Sequence, residues 1–225
     1  MSDLKDVISP LTSLVASFAG AWAAFRFAAQ TRAAEEEKKS TGAGNRAIYC
    51  VYALWNVLEQ YRKEVLEPFR TRPDAWLNLA AHPVVPVVTD RFDPAELQFL
   101  LEKGCPEVFT CLMLEQQRFE LALGVIKART ELVLESVFPK MAAAGFGVGQ
   151  TQDQVAVEQV LGIDRCHQLK QLTAAIFQNV DEALASLQVA YGNLRQGLAK
   201  IYPKRRFLQV AFEVEEKGDK GGASV

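Results

Sequence analysis

The sequence predicts a mainly α protein, in which an N-terminal transmembrane helix and a charged stalk lead into an antiparallel bundle of long helices with a small two-stranded β ribbon. Three observations predict it. Residues Val7 to Phe25 carry no charge. Three long segments place apolar residues at three- and four-residue steps, the period of one buried helix face. Near the C-terminus the pattern changes to strict alternation, the period of a strand.

The uncharged segment, as a helix, reaches roughly 28 Å, about the thickness of the hydrocarbon layer. Pro10 falls in its first turn, where the missing N–H costs nothing. On a helix the segment divides by size. Ser9, Thr12, Ser13, Ala16, Ser17, Gly20, Ala21 and Ala24 share one face, and Val7, Leu11, Leu14, Val15, Phe18, Trp22 and Phe25 the other. Small residues four apart let a second helix approach closely, so van der Waals contact holds the pair in lipid. Lys5 is the only side-chain cation before the segment, whereas Arg26, Arg32, Lys38, Lys39 and Arg46 follow it. Basic flanks stay cytoplasmic. The expected placement is a single pass through the inner (plasma) membrane, N-terminus outside and main domain cytoplasmic.

The domain boundaries read as 1–27 for the anchor, 28–44 for a charged helical stalk with a glycine hinge, 45–214 for the helical domain and 215–225 for a disordered tail. The hinge is Thr41-Gly42-Ala43-Gly44, because each glycine costs a helix about 1 kcal/mol. Asn45 is suited to cap the next helix. That helix, near 46–69, buries Ile48, Val51, Trp55, Leu58, Val65 and Phe69, while Glu59–Lys63 reads as a solvated charge pair. Asp93-Pro94-Ala95-Glu96 has the form of a capping box with proline at the first helical position. Gly104 ends that short helix and Pro106 opens a long one to about Met141, with Phe109, Leu112, Phe119, Leu123, Ile126, Val133 and Val137 in its apolar row. Gln116 and Thr130 share the row and are suited to fixing register. Thr151-x-x-Gln154 caps a short helix ending near Gly162. Asp164 is expected to cap the last helix, which runs to Ile201 with the strongest stripe in the chain, from Leu169 through Leu184 and Leu187 to Leu198, and Pro203 stops it. Leu208, Val210, Phe212 and Val214 then alternate with polar or small residues. A lone strand leaves its backbone unpaired, so Leu208–Val214 is expected to pair with Val84–Thr89.

Chemistry is thin. The net charge is −2 and the sequence pI about 5.8, so no global basic field marks a nucleic-acid partner. The four cysteines form no C-x-x-C and the chain has two histidines, which excludes common zinc fingers and ribbons. Asp164 and His167 form a one-turn pair without a third member. Cys105, at a helix start, is the cysteine best placed for a lowered pKa. Gly145–Gly149 follows a helix and not a strand, so it reads as a turn and not as a dinucleotide loop. His82, in a proline-rich loop with Asp90 and Asp93, is the one histidine in a loop able to carry function. Lys204-Arg205-Arg206 is the sharpest charge cluster, suited to an anionic partner.

No catalytic residue, metal ligand or cofactor is assigned on these grounds, and no small-molecule substrate is identified. The run Gly20-Ala21-Trp22-Ala23-Ala24-Phe25-Arg26-Phe27, set between a short outer terminus and a charged stalk, resembles uncharacterised bacterial single-pass inner-membrane helical proteins. The resemblance implies placement and no activity. The expected function is a non-catalytic, membrane-tethered interaction or assembly module. Its partners would be the lipid bilayer and a second copy or another membrane helix. The alternatives are an enzyme with a site around His82, and a membrane-associated regulator that binds an anionic partner through Lys204–Arg206.

Overall fold

The structure, a computed structural model, describes residues 3–81, 91–146 and 154–212, and side chains from residue 17 onward. It is mainly helical. Helix α1 spans Asp3–Tyr61 and continues through a π turn, Arg62–Leu66, and a 3-10 turn, Glu67–Phe69. Short helices α2 (Ala75–Asn78) and α3 (Gln98–Glu102) precede α4 (Pro106–Leu132), which runs through a second π turn, Val133–Val137, into α5 (Phe138–Ala143). Helix α6 (Gln154–Leu161) leads into α7 (Ile163–Ile201). Both π turns stand two residues before a proline, Pro68 and Pro139. Proline removes the N–H of its own turn and crowds the carbonyl four residues back, and the wider π turn gives that carbonyl room.

Helix α7 is the centre of the bundle and runs antiparallel to both long partners. Along α4, Val108 lies against Gly197, Glu115 bonds Ser186 and Arg129 bonds Thr173. Along α1, Gly44 lies against Leu198, and Arg70 forks onto both oxygens of Asp181 at 2.8 and 2.9 Å. The main core sits between these three helices, with Ile48, Leu54, Leu58, Leu112, Ile126, Val180 and Leu187 buried in it. A smaller core closes the far end, where Trp76, Val133, Met141, Val157, Leu161 and Leu169 meet. The predicted rows on α1, α4 and α7 all face these cores. The last helix ends at Ile201 as expected, and Gly104 turns the chain after α3 at φ +76°.

Several local expectations fail for identifiable reasons. The hinge is absent: α1 runs unbroken through Thr41–Gly44. Gly44 is instead a point of close approach. A Cβ there would stand 2.8 Å from Leu198 Cδ2 and 3.3 Å from Phe207 Cε1. Burial of Ala43, Gly44, Ala47 and Ile48 against α7 outweighs the helix cost of two glycines. Asn45 therefore caps nothing, and its Oδ1 accepts the Leu208 N–H at 2.9 Å. Asp93 does accept the Ala95 N–H, but Glu96 pairs with Arg46 at 2.8 Å and α3 starts only at Gln98. Asp164 lies inside the first turn of α7, whose N-cap is Gly162 at φ +82°. Glu59 does pair with Lys63, at 3.7 Å, but it is buried, not solvated, and holds Arg62 more closely at 2.7 Å.

The two glycines make a test. Near Gly42 a Cβ would meet only Arg46 Nη1, at 3.7 Å. Gly42→Ala is expected to stabilise the chain by up to about 1 kcal/mol through helix propensity. Gly44→Ala is expected to lose that gain by pressing on Leu198. Urea midpoints measure both, and equal gains at the two positions would show that α1 and α7 do not meet at Gly44.

No β ribbon, and no strand, is seen among the described residues. Val84–Thr89 lies outside the described residues. Residues 207–212 form an extended segment whose backbone is satisfied by helix side chains. Tyr191 Oη accepts the Val210 N–H at 3.0 Å and donates to the Val210 carbonyl at 3.2 Å. Phe207, Val210 and Phe212 turn inward, and Leu208 is exposed. Phe212 seats edge-on against Trp55 and Tyr191, with ring centroids 5.0 and 4.9 Å apart. Period two here reflects an extended chain lying on a helical surface, and two side chains substitute for a neighbouring strand.

Candidate functional site

Two features of the surface stand out, and α1 connects them. The first is its N-terminal half. Residues 17–36 are exposed throughout, so this part of the helix projects from the bundle. It carries Phe18, Trp22, Phe25 and Phe27 at 75, 56, 78 and 73% exposure. Phe18, Trp22 and Phe25 share one face of this water-exposed helix and mark a surface that binds something apolar. Arg26 lies over the Trp22 ring at 5.0 Å, an aromatic and a cation together at the end of the uncharged run. Of the small face, Ser17, Gly20, Ala21 and Ala24 are exposed, and nothing stands within 4 Å of a Cβ built on Gly20. The side chains of Ser9, Thr12, Ser13 and Ala16 lie outside the described residues. Among the described residues no helix is long and apolar enough to cross a membrane. The Val7–Phe25 stretch straddles the limit at residue 17, so about half of it falls outside that statement.

The second feature is basic. Beyond Ile201 the chain turns at Tyr202–Arg205 and brings Arg205 and Arg206 beside Arg195 of α7. With Ala199, Phe207 and Gln209 they line a cavity of about 400 Å³. Arg205 Nε donates to Glu37 Oε1 at 2.7 Å, tying the cluster to α1 just where the projecting half begins. Arg195 lies over the Tyr191 ring at 5.7 Å. Lys204 is exposed. The sequence pointed to Lys204–Arg206, and the structure adds Arg195, in the last two turns of α7 at the same end of the bundle.

The other candidates disperse. His82 lies outside the described residues. His167 is exposed and bonds Gln171 at 2.8 Å, a surface contact. Cys105 is buried beneath Gly197. Burial, then the charge of Glu115, pushes the Cys111 thiol up, and burial does the same to Cys166, so neither is poised as a thiolate at neutral pH. No disulfide joins any of the four cysteines. Among the described residues no three His, Cys, Asp or Glu side chains converge.

Sequence reasoning missed the most deeply buried charge. Arg129 is enclosed at the junction of the two cores. Its Nε donates to Thr173 Oγ1 at 2.9 Å, and Nη2 donates to the carbonyls of Leu79 at 2.7 Å and Trp76 at 3.1 Å. Burial lowers its pKa to about 10, so it stays protonated at neutral pH, and burial lifts nearby Tyr61 to about 12, so it stays neutral. Its partners are neutral, which makes it an organiser of the chain at 76–80 and not a reacting group. The signal was present in the sequence: Arg129 stands three residues after Ile126 and four before Val133, inside the apolar row. Glu115, three after Leu112 and four before Phe119, is buried the same way and holds Arg118 at 2.7 Å.

No protein-family model, curated protein or solved structure matches the chain.

Proposed function

We propose that this chain is a membrane-tethered helical interaction module without catalysis of its own. Helix α1 would pass the bilayer once through Val7–Phe25, with the N-terminus outside and the bundle at the cytoplasmic face of the plasma membrane. The observation that carries this reading is the projecting helix: exposed Phe18, Trp22 and Phe25 lie in the last half of the uncharged run, and Arg26, Phe27 and a charged stalk follow it. A soluble helix that leaves its own bundle has no reason to carry four aromatics in water. Lipid would cover the large face. The small face, Ser9 to Ala24, suits a second copy of the same helix, since Gly20 leaves room that nothing among the described residues fills.

The test is extraction. The full chain is expected to pellet with membranes and to stay there in alkaline carbonate. Val15→Arg, at the middle of the uncharged run, should release much of it, because a central arginine costs insertion about 2.5–3.5 kcal/mol. Release of the unaltered chain by carbonate sinks the tether. Pairing is read in a membrane two-hybrid assay, where Ser13→Leu with Gly20→Leu should lower self-association and Leu14→Ala should not. Equal signals from all three would remove the second copy.

A further inference from the structure

We propose that the cavity formed by Arg195, Arg205 and Arg206 is a phosphate site, and that its phosphate is presented by an anionic lipid headgroup. Guanidinium is a planar fork that matches phosphate oxygens two at a time. Three such forks on one cavity of about 400 Å³, with the Gln209 amide beside them, make a concave anion receptor. Among the described residues only Arg205 of the three is ion-paired, to Glu37. The stacking of Arg195 on Tyr191 orients that guanidinium without neutralising it. A phosphate therefore meets two uncommitted cations and competes with one carboxylate for the third. The walls of the cavity, Ala199 and Phe207, offer no anion against it.

Position supplies the lipid. The Arg205–Glu37 ion pair fixes the cavity alongside α1 at residue 37. That point lies about 18 Å along the helix axis beyond Phe25, the end of the uncharged run. The headgroup layer extends roughly 5–8 Å past the hydrocarbon, and surface charge is felt for a further 8–10 Å or so. For an upright α1 the cavity thus stands about 10 Å past the headgroup layer, within the surface potential. A tilt of α1 toward the cavity, within the usual range for membrane helices, is what brings a lipid phosphate to it. With exposed Lys204, next to Arg205 in the chain, there are four cations at this end, the size of cluster that recognises anionic lipid. The source of the phosphate rests on the tether reading, whereas the chemistry of the cavity does not.

The experiment separates the two. The full chain is incorporated into phosphatidylcholine vesicles, or into vesicles of phosphatidylcholine with phosphatidylglycerol, and each arginine's reaction with phenylglyoxal is followed by mass spectrometry. A third sample holds phosphatidylcholine vesicles with inorganic phosphate in the buffer. Flotation with phosphatidylcholine vesicles reports the tether alone. If the chain does not float, the lipid source falls with the tether, and added phosphate in solution decides the cavity. Protection of Arg195 and Arg206 by phosphatidylglycerol, with Arg118 unchanged, supports the proposal. Arg206→Gln should then weaken the protection of Arg195 about fivefold, the effect of one cation near a charged surface. Protection by inorganic phosphate but not by phosphatidylglycerol keeps the phosphate site and overturns the lipid source. Equal labelling in all samples overturns the site.

Discussion

Arg129→Met is expected to cost about 3 kcal/mol or more, the largest loss of any single polar side chain in the described fold. Arg129 is almost wholly enclosed. Removing it strands the Thr173 hydroxyl and the carbonyls of Trp76 and Leu79 away from water, at roughly 1–3 kcal/mol for each polar group left without a partner. The relief of no longer burying a cation opposes this, as its lowered pKa shows. The bonds must outweigh that relief, because one fork satisfies several acceptors at once and methionine satisfies none. Arg129→Lys keeps the charge but offers a compact ammonium on a shorter reach, so it should not restore stability. Thr173→Val removes a single bond and should cost less than either. Urea midpoints of the full chain in mild detergent measure all three. A midpoint for Arg129→Met equal to the unaltered chain's would show that the 76–80 segment is held by something else. The prediction has a second readout, because α2 and the chain after it hang on these bonds. Proteolytic cleavage near residue 80 should accelerate in Arg129→Met before the bundle itself unfolds.

The helices were legible because a buried stripe repeats. Leu169, Ile176, Val180, Leu184, Leu187, Leu194 and Leu198 keep one face of α7 for its whole length, and the structure buries every one of them. What a stripe does not reveal is a polar residue inside it. Glu59, Glu115 and Arg129 occupy core positions by spacing, but the charge on each argues for the surface, and only the fold supplies Arg62, Ser186 and the loop carbonyls that decide the matter. Glycine was equally ambiguous. Gly42 and Gly44 have the same intrinsic cost, and the structure alone shows that one faces open space and the other Leu198. The alternation at Leu208–Val214 did signal an extended chain. Among the described residues its backbone partners are Asn45 and Tyr191, each more than 15 residues away in sequence and each with a different reading of its own. The basic site was half legible for the same reason: Lys204-Arg205-Arg206 is a run, whereas Arg195 joins it only because the chain turns back at Pro203.

Leu187→Ala is expected to cost about 2–5 kcal/mol. Leu187 is 0% exposed at the middle of α7, the helix that both α1 and α4 pack against. Truncation there removes contacts to two helices together, and the site has little means of collapsing, because Ala183 and Ala190 one turn away on either side are themselves buried and small. Small neighbours have no side chain long enough to fill the space, so the void stays open and its cavity cost is felt. Val189→Ala is the matched control. It lies two residues on, at 62% exposure, and should shift stability by no more than about 0.5 kcal/mol. Helix propensity favours alanine at both positions, so a loss of stability in Leu187→Ala is not a propensity effect and reports packing. If Leu187→Ala and Val189→Ala give the same urea midpoint, α7 is not the central helix of a packed bundle. If Leu187→Ala lowers the midpoint while carbonate still fails to extract the chain, the bundle and the tether are held by separate forces, one by burial between helices and the other by lipid around the first half of α1.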